Sequence, residues 1–134
     1  MAAVKRLMLI DDDKNTRRGY EMYLSGKGFR VETFDGGTDA LALVRSLTPD
    51  LIILDLGLPD VDGWEVARRL KSDAQTQGIP IIAFSGRSMK HEQISALRAG
   101  CDLYLTKPCA PDRLLGAVRK LLGLSDPPAV GGRG

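Results

Sequence analysis

Two cysteines among 134 residues are too few for a disulfide framework, and the spacing of Cys101 and Cys109 matches no common zinc pattern. No apolar run approaches the roughly 20 residues of a membrane span. The start, Met1 to Arg6, runs straight into a strand-like segment with neither the apolar stretch nor the cleavage site of an export signal. The expectation is a cytoplasmic protein, with no membrane association and reduced thiols. Charge of one sign is also lacking. The net charge is +2, and the basic pairs Arg17-Arg18, Arg68-Arg69 and Arg119-Lys120 fall on three separate predicted helices. That pattern gives no footprint for direct nucleic-acid binding. The one histidine, His91, follows Lys90 in a polar helical turn and reads as a surface residue.

What is present suits one soluble domain with one sizeable core: 43% hydrophobic and 27% charged residues. Short apolar runs recur at even spacing: Leu7–Ile10, Phe29–Phe34, Leu51–Leu54, Ile79–Phe84 and Leu103–Leu105. Such runs suit strands covered on both faces of a parallel sheet. Between them apolar residues take helical spacing. Tyr20, Tyr23 and Leu24 mark the first helix, and Ala40, Leu41, Val44 and Leu47 the second. Val66, Ala67 and Leu70 mark the third, Ile94, Leu97 and Arg98 the fourth, and Leu114, Leu115, Val118 and Leu121 the fifth. Gly28 and Gly100 stand where helices should end, and Pro111 stands in the first turn of the last helix. Strict alternation predicts a doubly wound α/β fold, a five-stranded parallel sheet of (βα)5 type, over residues 1–124. Residues 125–134, SDPPAVGGRG, read as a disordered Pro/Gly-rich tail.

The polar residues that end these strands carry the chemistry. Asp11-Asp12-Asp13 follows the first strand, Asp55 the third, Ser85 the fourth and Lys107 the fifth. In an open α/β sheet the carboxyl ends of the strands form the ligand crevice. Two carboxylates about 4 Å apart repel by about 4 kcal/mol at an effective dielectric near 20, so three call for a cation. Oxygen ligands with room for water suit Mg²⁺. A carboxylate can act as a nucleophile towards phosphorus. Lys107 can share the charge on the transferring oxygens, and Ser85 can donate a hydrogen bond to one of them.

The segments LMLIDDD, LIILDLGLPDVDGWE, IPIIAFSG and GCDLYLTKP, in this order and separation, resemble the receiver domain of response regulators. The resemblance spans about residues 4 to 123 and implies a flavodoxin-like fold. It implies that Asp55 is the phosphoacceptor, and that Mg²⁺ is held by Asp12 directly, by Asp11 through water, by Asp55 and by the Gly57 carbonyl. It implies that Ser85 and Lys107 contact the phosphoryl group, that Ser85 and Tyr104 form the switch pair, and that Lys107-Pro108 is a cis peptide. Gly57 and Arg87 fall at positions that the family associates with acyl-phosphate lifetime. The donor implied is a histidine kinase or phosphotransfer protein. The partner-reading face is the fourth helix, fifth strand and fifth helix, in a monomer or a phosphorylation-dependent dimer.

Several residues carry plainer expectations. Asp13 reads as a helix cap, and Asp60 and Asp62 as turn and cap residues. Trp64 should be partly exposed near the site, and Cys101 a small core residue. Cys109 stands where the family often has a larger apolar residue. The leading function is a single-domain phosphoacceptor, a signalling protein and not an enzyme with a small-molecule substrate. The alternative is a receiver module excised from a longer hybrid kinase or multidomain regulator. A Mg²⁺-dependent phosphatase of the aspartyl-phosphate type would want a second acid where Gly57 stands.

Overall fold

The computed structural model describes residues 3–86 and 90–124. Arg87 and the proposed tail, residues 125–134, lie outside the described residues. The chain alternates strand and helix: β1 (Arg6–Ile10), α1 (Lys14–Gly26), β2 (Arg30–Phe34), α2 (Gly37–Leu47), β3 (Leu51–Asp55), α3 (Gly63–Ser72), β4 (Ile81–Ser85), α4 (Lys90–Arg98), β5 (Leu103–Thr106) and α5 (Pro111–Leu122). The five strands are parallel in the order β2-β1-β3-β4-β5. The order reverses between β1 and β3, which makes their carboxyl ends the switch point where such sheets bind ligands.

The central strands are apolar throughout because each face is covered. Met8, Ile10, Ile52, Leu54, Ile81 and Ala83 pack with α2, α3 and α4. Leu7, Leu9, Leu51, Ile53, Ile82, Phe84 and Leu105 pack with Leu24 of α1 and with Leu114, Leu115 and Val118 of α5. Successive strand residues thus serve opposite cores, as a period of two requires. Each fully buried aliphatic side chain contributes about 1.5–3 kcal/mol of transfer free energy. The most buried sheet residues therefore fix the register that sets the strand ends level.

Helix ends follow the expected punctuation. Gly28 and Gly100 have φ of 97° and 111°, in the left-handed region that glycine tolerates. Pro111 opens α5. The fourth helix forms where its spacing placed it, but α4 does not turn its apolar markers to the core. Its apolar markers Ile94 and Leu97 point outward, 41% and 49% exposed, whereas Ala96 is fully buried and Ala99 nearly so. Ala96 within α4 and Ala99 just after it face the core, so the bulkier apolar residues of this short helix do not mark its core side. Two strand ends also shift by one residue: Asp55 and Ser85 are the last residues of β3 and β4, not the first residues after them.

Candidate functional site

Parallel register brings the strand ends together. Ile10 pairs with Leu54, Asp55 with Phe84, and Ser85 with Thr106, so Asp11, Asp55, Ser85 and Lys107 reach one edge. Carboxylate oxygens of Asp11, Asp12 and Asp55 lie within 4.8 Å of one another. Asp11 and Asp55 are buried, at 1% and 7% exposure, while Asp12 is exposed. Lys107 Nζ lies 2.7 Å from Asp11 Oδ2 and 3.6 Å from Asp55 Oδ2. Three carboxylates against one ammonium leave two negative charges in the cluster, which one divalent cation would balance. The donors are hard oxygens, and the exposed side of Asp12 leaves room for water and phosphate oxygens. The residues present therefore fit Mg²⁺.

Electrostatics set Asp55 apart. Burial raises its pKa above the usual carboxylate value of 3.8, and the neighbouring Asp11 and Asp12 carboxyls push the same way. The Gly57 amide, donating to Asp55 Oδ1 at 3.0 Å, and the Lys107 ammonium oppose that rise. Burial alone would lower the Lys107 pKa, but its bond to Asp11 and the charge of Asp55 outweigh it, so the pKa rises above 10.5. Lys107 is further placed by its own backbone. Its amide donates to the Ser85 carbonyl at 2.7 Å, and the Lys107-Pro108 peptide is cis, as expected. Its Nζ also stands 5.1 Å from the centre of the Phe84 ring.

The loops hold these groups by local chemistry. Asp13 caps α1, accepting from the Thr16 amide at 2.9 Å and from the Thr16 hydroxyl. These bonds lower its pKa. That is the capping role expected of the third acid. Asp62 caps α3 through the Trp64 amide at 2.9 Å. Gly63 has no room for a side chain: a Cβ there would sit 2.5 Å from Leu56 Cα and 2.8 Å from the Asp55 carbonyl oxygen. Ser85 is buried beside the cluster. Tyr104 is half-buried, paired with Ala83 and packed against the core under α2, α3 and α4. Trp64 is half-buried with its indole nitrogen enclosed. Cys101 is buried, which pushes its thiol up to about 12, and Cys109 is buried also. His91 is exposed.

Three contributors leave no mark in the strand-end pattern. Arg17 Nη1 donates to the Asp11 carbonyl at 2.8 Å, steadying the acidic turn from α1. Tyr20 donates its hydroxyl to the Cys109 carbonyl at 2.6 Å and meets the Phe84 ring edge-on at 5.3 Å. Asp60 binds the start of α2 rather than capping its own turn alone. A residue one helical turn into α1 could have been suspected for Arg17; the other two contacts span 89 and 22–23 residues. A concavity of about 440 Å³ lies beside Lys107, lined also by Asn15, Thr16, Gly19, Tyr20, Pro108 and Pro111. The three carboxylates lie outside its lining.

Comparison with known proteins gives one consistent answer. The family model described as "Response regulator receiver domain" matches residues 7–119. "Response regulator MprA" of Mycolicibacterium vanbaalenii is 38% identical over 122 residues, 91% of this chain and 52% of that protein. "Response regulator Rre1" of Synechocystis sp. is 34% identical over 123 residues, 91% of this chain and 53% of that protein. The chain thus spans about half the length of these curated relatives. Among solved structures, a CheY-like response regulator receiver domain protein of Methanospirillum hungatei superposes with a TM-score of 0.85 at 26% identity. That match covers 90% of this chain and 95% of the other.

Proposed function

The chain belongs to the response regulator receiver domain family, and from that premise we propose that it is a phosphorylation switch whose input is Asp55. The observation that carries this reading is the meeting of Asp11, Asp12 and Asp55 oxygens within 4.8 Å at the edge where Lys107 also arrives. Receiver domains are signalling modules of two-component systems, and this family binds Mg²⁺ at such an acidic pocket.

In this reading Asp11, Asp12, Asp55 and the Gly57 carbonyl hold Mg²⁺, which supplies charge neutralisation for phosphoryl transfer. A carboxylate oxygen of Asp55 forms a bond to phosphorus as the bond from phosphorus to a donor imidazole nitrogen breaks. The nitrogen keeps the electron pair. The donor is a phosphohistidine on a kinase or phosphotransfer protein. Lys107 holds its charge beside the incoming oxygens, and the Gly57 amide fixes the Asp55 carboxylate through Oδ1. Gly57 and Arg87 stand at the positions that the family associates with acyl-phosphate lifetime, and lifetime would be tuned there; Gly57 itself places no side chain over the acyl phosphate.

The added group brings roughly two negative charges and strong acceptors. Ser85 donates to it, and Tyr104 repacks into the space that Ser85 leaves. The change is read by a protein partner on the face of α4, β5 and α5, in a monomer or a phosphorylation-dependent dimer. Among the described residues no helix is long and apolar enough to cross a membrane. The test is intact-mass measurement after acetyl phosphate treatment with Mg²⁺. Wild type should gain the mass of one phosphoryl group and Asp55→Asn should not. Equal gain in both proteins, or none in either, would sink the reading.

A further inference from the structure

Helix α2 starts without a cap of its own. Its N-cap residue is Gly36, which makes no side-chain hydrogen bond. The first amides of a helix need acceptors, and a carboxylate also suits the positive end of the helix dipole. Here the acceptor comes from another loop. Asp60 lies five residues after Asp55. Its Oδ1 accepts from the Gly37 amide and its Oδ2 from the Thr38 amide, both at 2.9 Å. Oδ1 also accepts from the Val61 amide at 2.8 Å, so the carboxylate is fixed at both ends of the contact. These bonds hold the Asp60 carboxyl well below the usual range, so it stays ionised.

A second observation shows that the contact is built on both sides. A Cβ at Gly36 would sit 2.7 Å from Asp60 Oδ2 and 3.0 Å from its Cγ. Gly36 is at φ −158°, extended backbone that any residue adopts. Glycine at this position therefore serves the fit to the Asp60 carboxylate and not a strained backbone.

The tethered loop is the one that carries Gly57. Residues 56–62 leave β3 at Asp55 and enter α3 at Gly63. Leu56 and Leu58 are buried in the core on either side of the exposed Gly57. The Gly63 amide, donating to the Leu56 carbonyl at 3.3 Å, closes one end of the loop. Asp60 ties its outer turn to α2. The loop so tied at its base and at its outer turn carries Gly57, whose amide donates to Asp55 Oδ1 at 3.0 Å.

We propose that Asp60 is a positioning residue for the metal site: by capping α2 from the β3–α3 loop, it holds the Gly57 peptide in the place from which its carbonyl meets the cation. This rests on the Mg²⁺ reading above. Partners that orient metal ligands change affinity by about 10–100-fold when removed; a tether that acts through the loop belongs at the lower end of that range.

The test is an NMR titration with Mg²⁺ alone, following the amides of Asp12 and Gly57, with thermal unfolding of the metal-free proteins recorded in parallel. Asp60→Ala should weaken Mg²⁺ about tenfold. Gly36→Ala, which displaces the carboxylate while leaving the loop sequence intact, should weaken it in the same direction. In the Asp60→Ala background Gly36→Ala should have no further effect on Mg²⁺ affinity. Asp60→Asn, which keeps one oxygen acceptor, should recover part of it. If both single variants lose thermal stability but bind Mg²⁺ like wild type, Asp60 is only a helix cap and the proposal is overturned. If the two substitutions weaken binding additively, they act separately and the proposal is overturned too. A wild type that shows no Mg²⁺-dependent shifts would instead remove the metal reading on which the proposal stands.

Discussion

Lys107 reaches across the sheet edge to Asp11, its Nζ 2.7 Å from Asp11 Oδ2. Asp11 is 1% exposed and the Lys107 side chain 21%. Removing one partner of a fully buried pair costs about 3–5 kcal/mol because the other is left uncompensated. With Lys107 partly solvated, Lys107→Met should lose about 2 kcal/mol in metal-free urea unfolding at pH 7. The pH dependence has a definite sign. The folded pKa of Lys107 is raised above 10.5, so its stabilisation is complete below 10.5 and is lost as pH rises through the folded value. Wild type should therefore lose its advantage over Lys107→Met in strongly alkaline buffer. Equal stability of the two proteins at pH 7 would show that Asp11 does not depend on this ammonium.

Asp55 should behave in the opposite sense to a stabilising carboxylate. Its folded pKa is raised above 3.8 by burial and by the acids beside it. Its protonated form is thus favoured in the folded state, and the advantage fades as pH rises through the raised value. At pH 7 without metal, the ionised Asp55 costs stability. Asp55→Asn should be more stable by about 1 kcal/mol, the order of a well-screened repulsion at contact distance. The gap between the two proteins should close in acid, below the unfolded value of 3.8. Thermal unfolding of both across pH 3 to 7 measures it, and a gap that widens in acid would contradict the assignment.

Metal binding should reverse that penalty. A ligand that binds only the folded chain stabilises it by about 2.7 kcal/mol at a hundredfold excess over its dissociation constant. Wild type should gain thermal stability on addition of Mg²⁺ and lose it again with EDTA. Asp12 is the exposed member of the triad. Its truncation leaves the buried pair in place, so Asp12→Ala should fold normally while showing no response to Mg²⁺. A response equal to wild type would place the cation elsewhere.

Most of the site was legible because a strand covered on both faces is a run of apolar residues, and its first polar residue marks the edge. That logic found Asp11, Asp55, Ser85 and Lys107 from separate parts of the chain. Asp13 and Asp62 were legible because a cap acts on amides two or three residues away. Asp60 was only half read: its turn is local, but the helix it caps begins 23 residues earlier, and such a contact leaves no period in the sequence. The outward side of α4 was not legible for a related reason. Ile94 and Leu97 look like core markers until the register of a nine-residue helix is known, and the sheet accepts Ala96 instead. The direction of Lys107 is also a matter of distance alone. Sequence places it among three acids, and only the geometry shows that Asp11 is nearer to it than Asp55.

Gly63 offers the sharpest test of how the site is held. It opens α3 against the end of β3, where its amide meets the Leu56 carbonyl at 3.3 Å. A Cβ at this position would come within 2.5 Å of Leu56 Cα, 2.8 Å of the Asp55 carbonyl oxygen and 3.0 Å of Leu56 Cδ2. The first two are backbone atoms where the chain leaves β3, Asp55 paired with Phe84 and the Leu56 amide donating to the Phe84 carbonyl at 3.3 Å, so they cannot swing aside as a side chain would. Gly63→Ala must move α3 outward or bend the strand end that carries Asp55. Overpacking of this kind costs about 1–3 kcal/mol. The loss should appear as a lower midpoint in urea. It should come with slower labelling of Asp55 by acetyl phosphate, because a nucleophile displaced by even 1 Å can lose about 100-fold in rate. Gly116→Ala makes a matched control, since a Cβ on that helical residue meets nothing within 4 Å. If Gly63→Ala matches this control in both stability and labelling rate, the close approach of α3 is not what fixes Asp55.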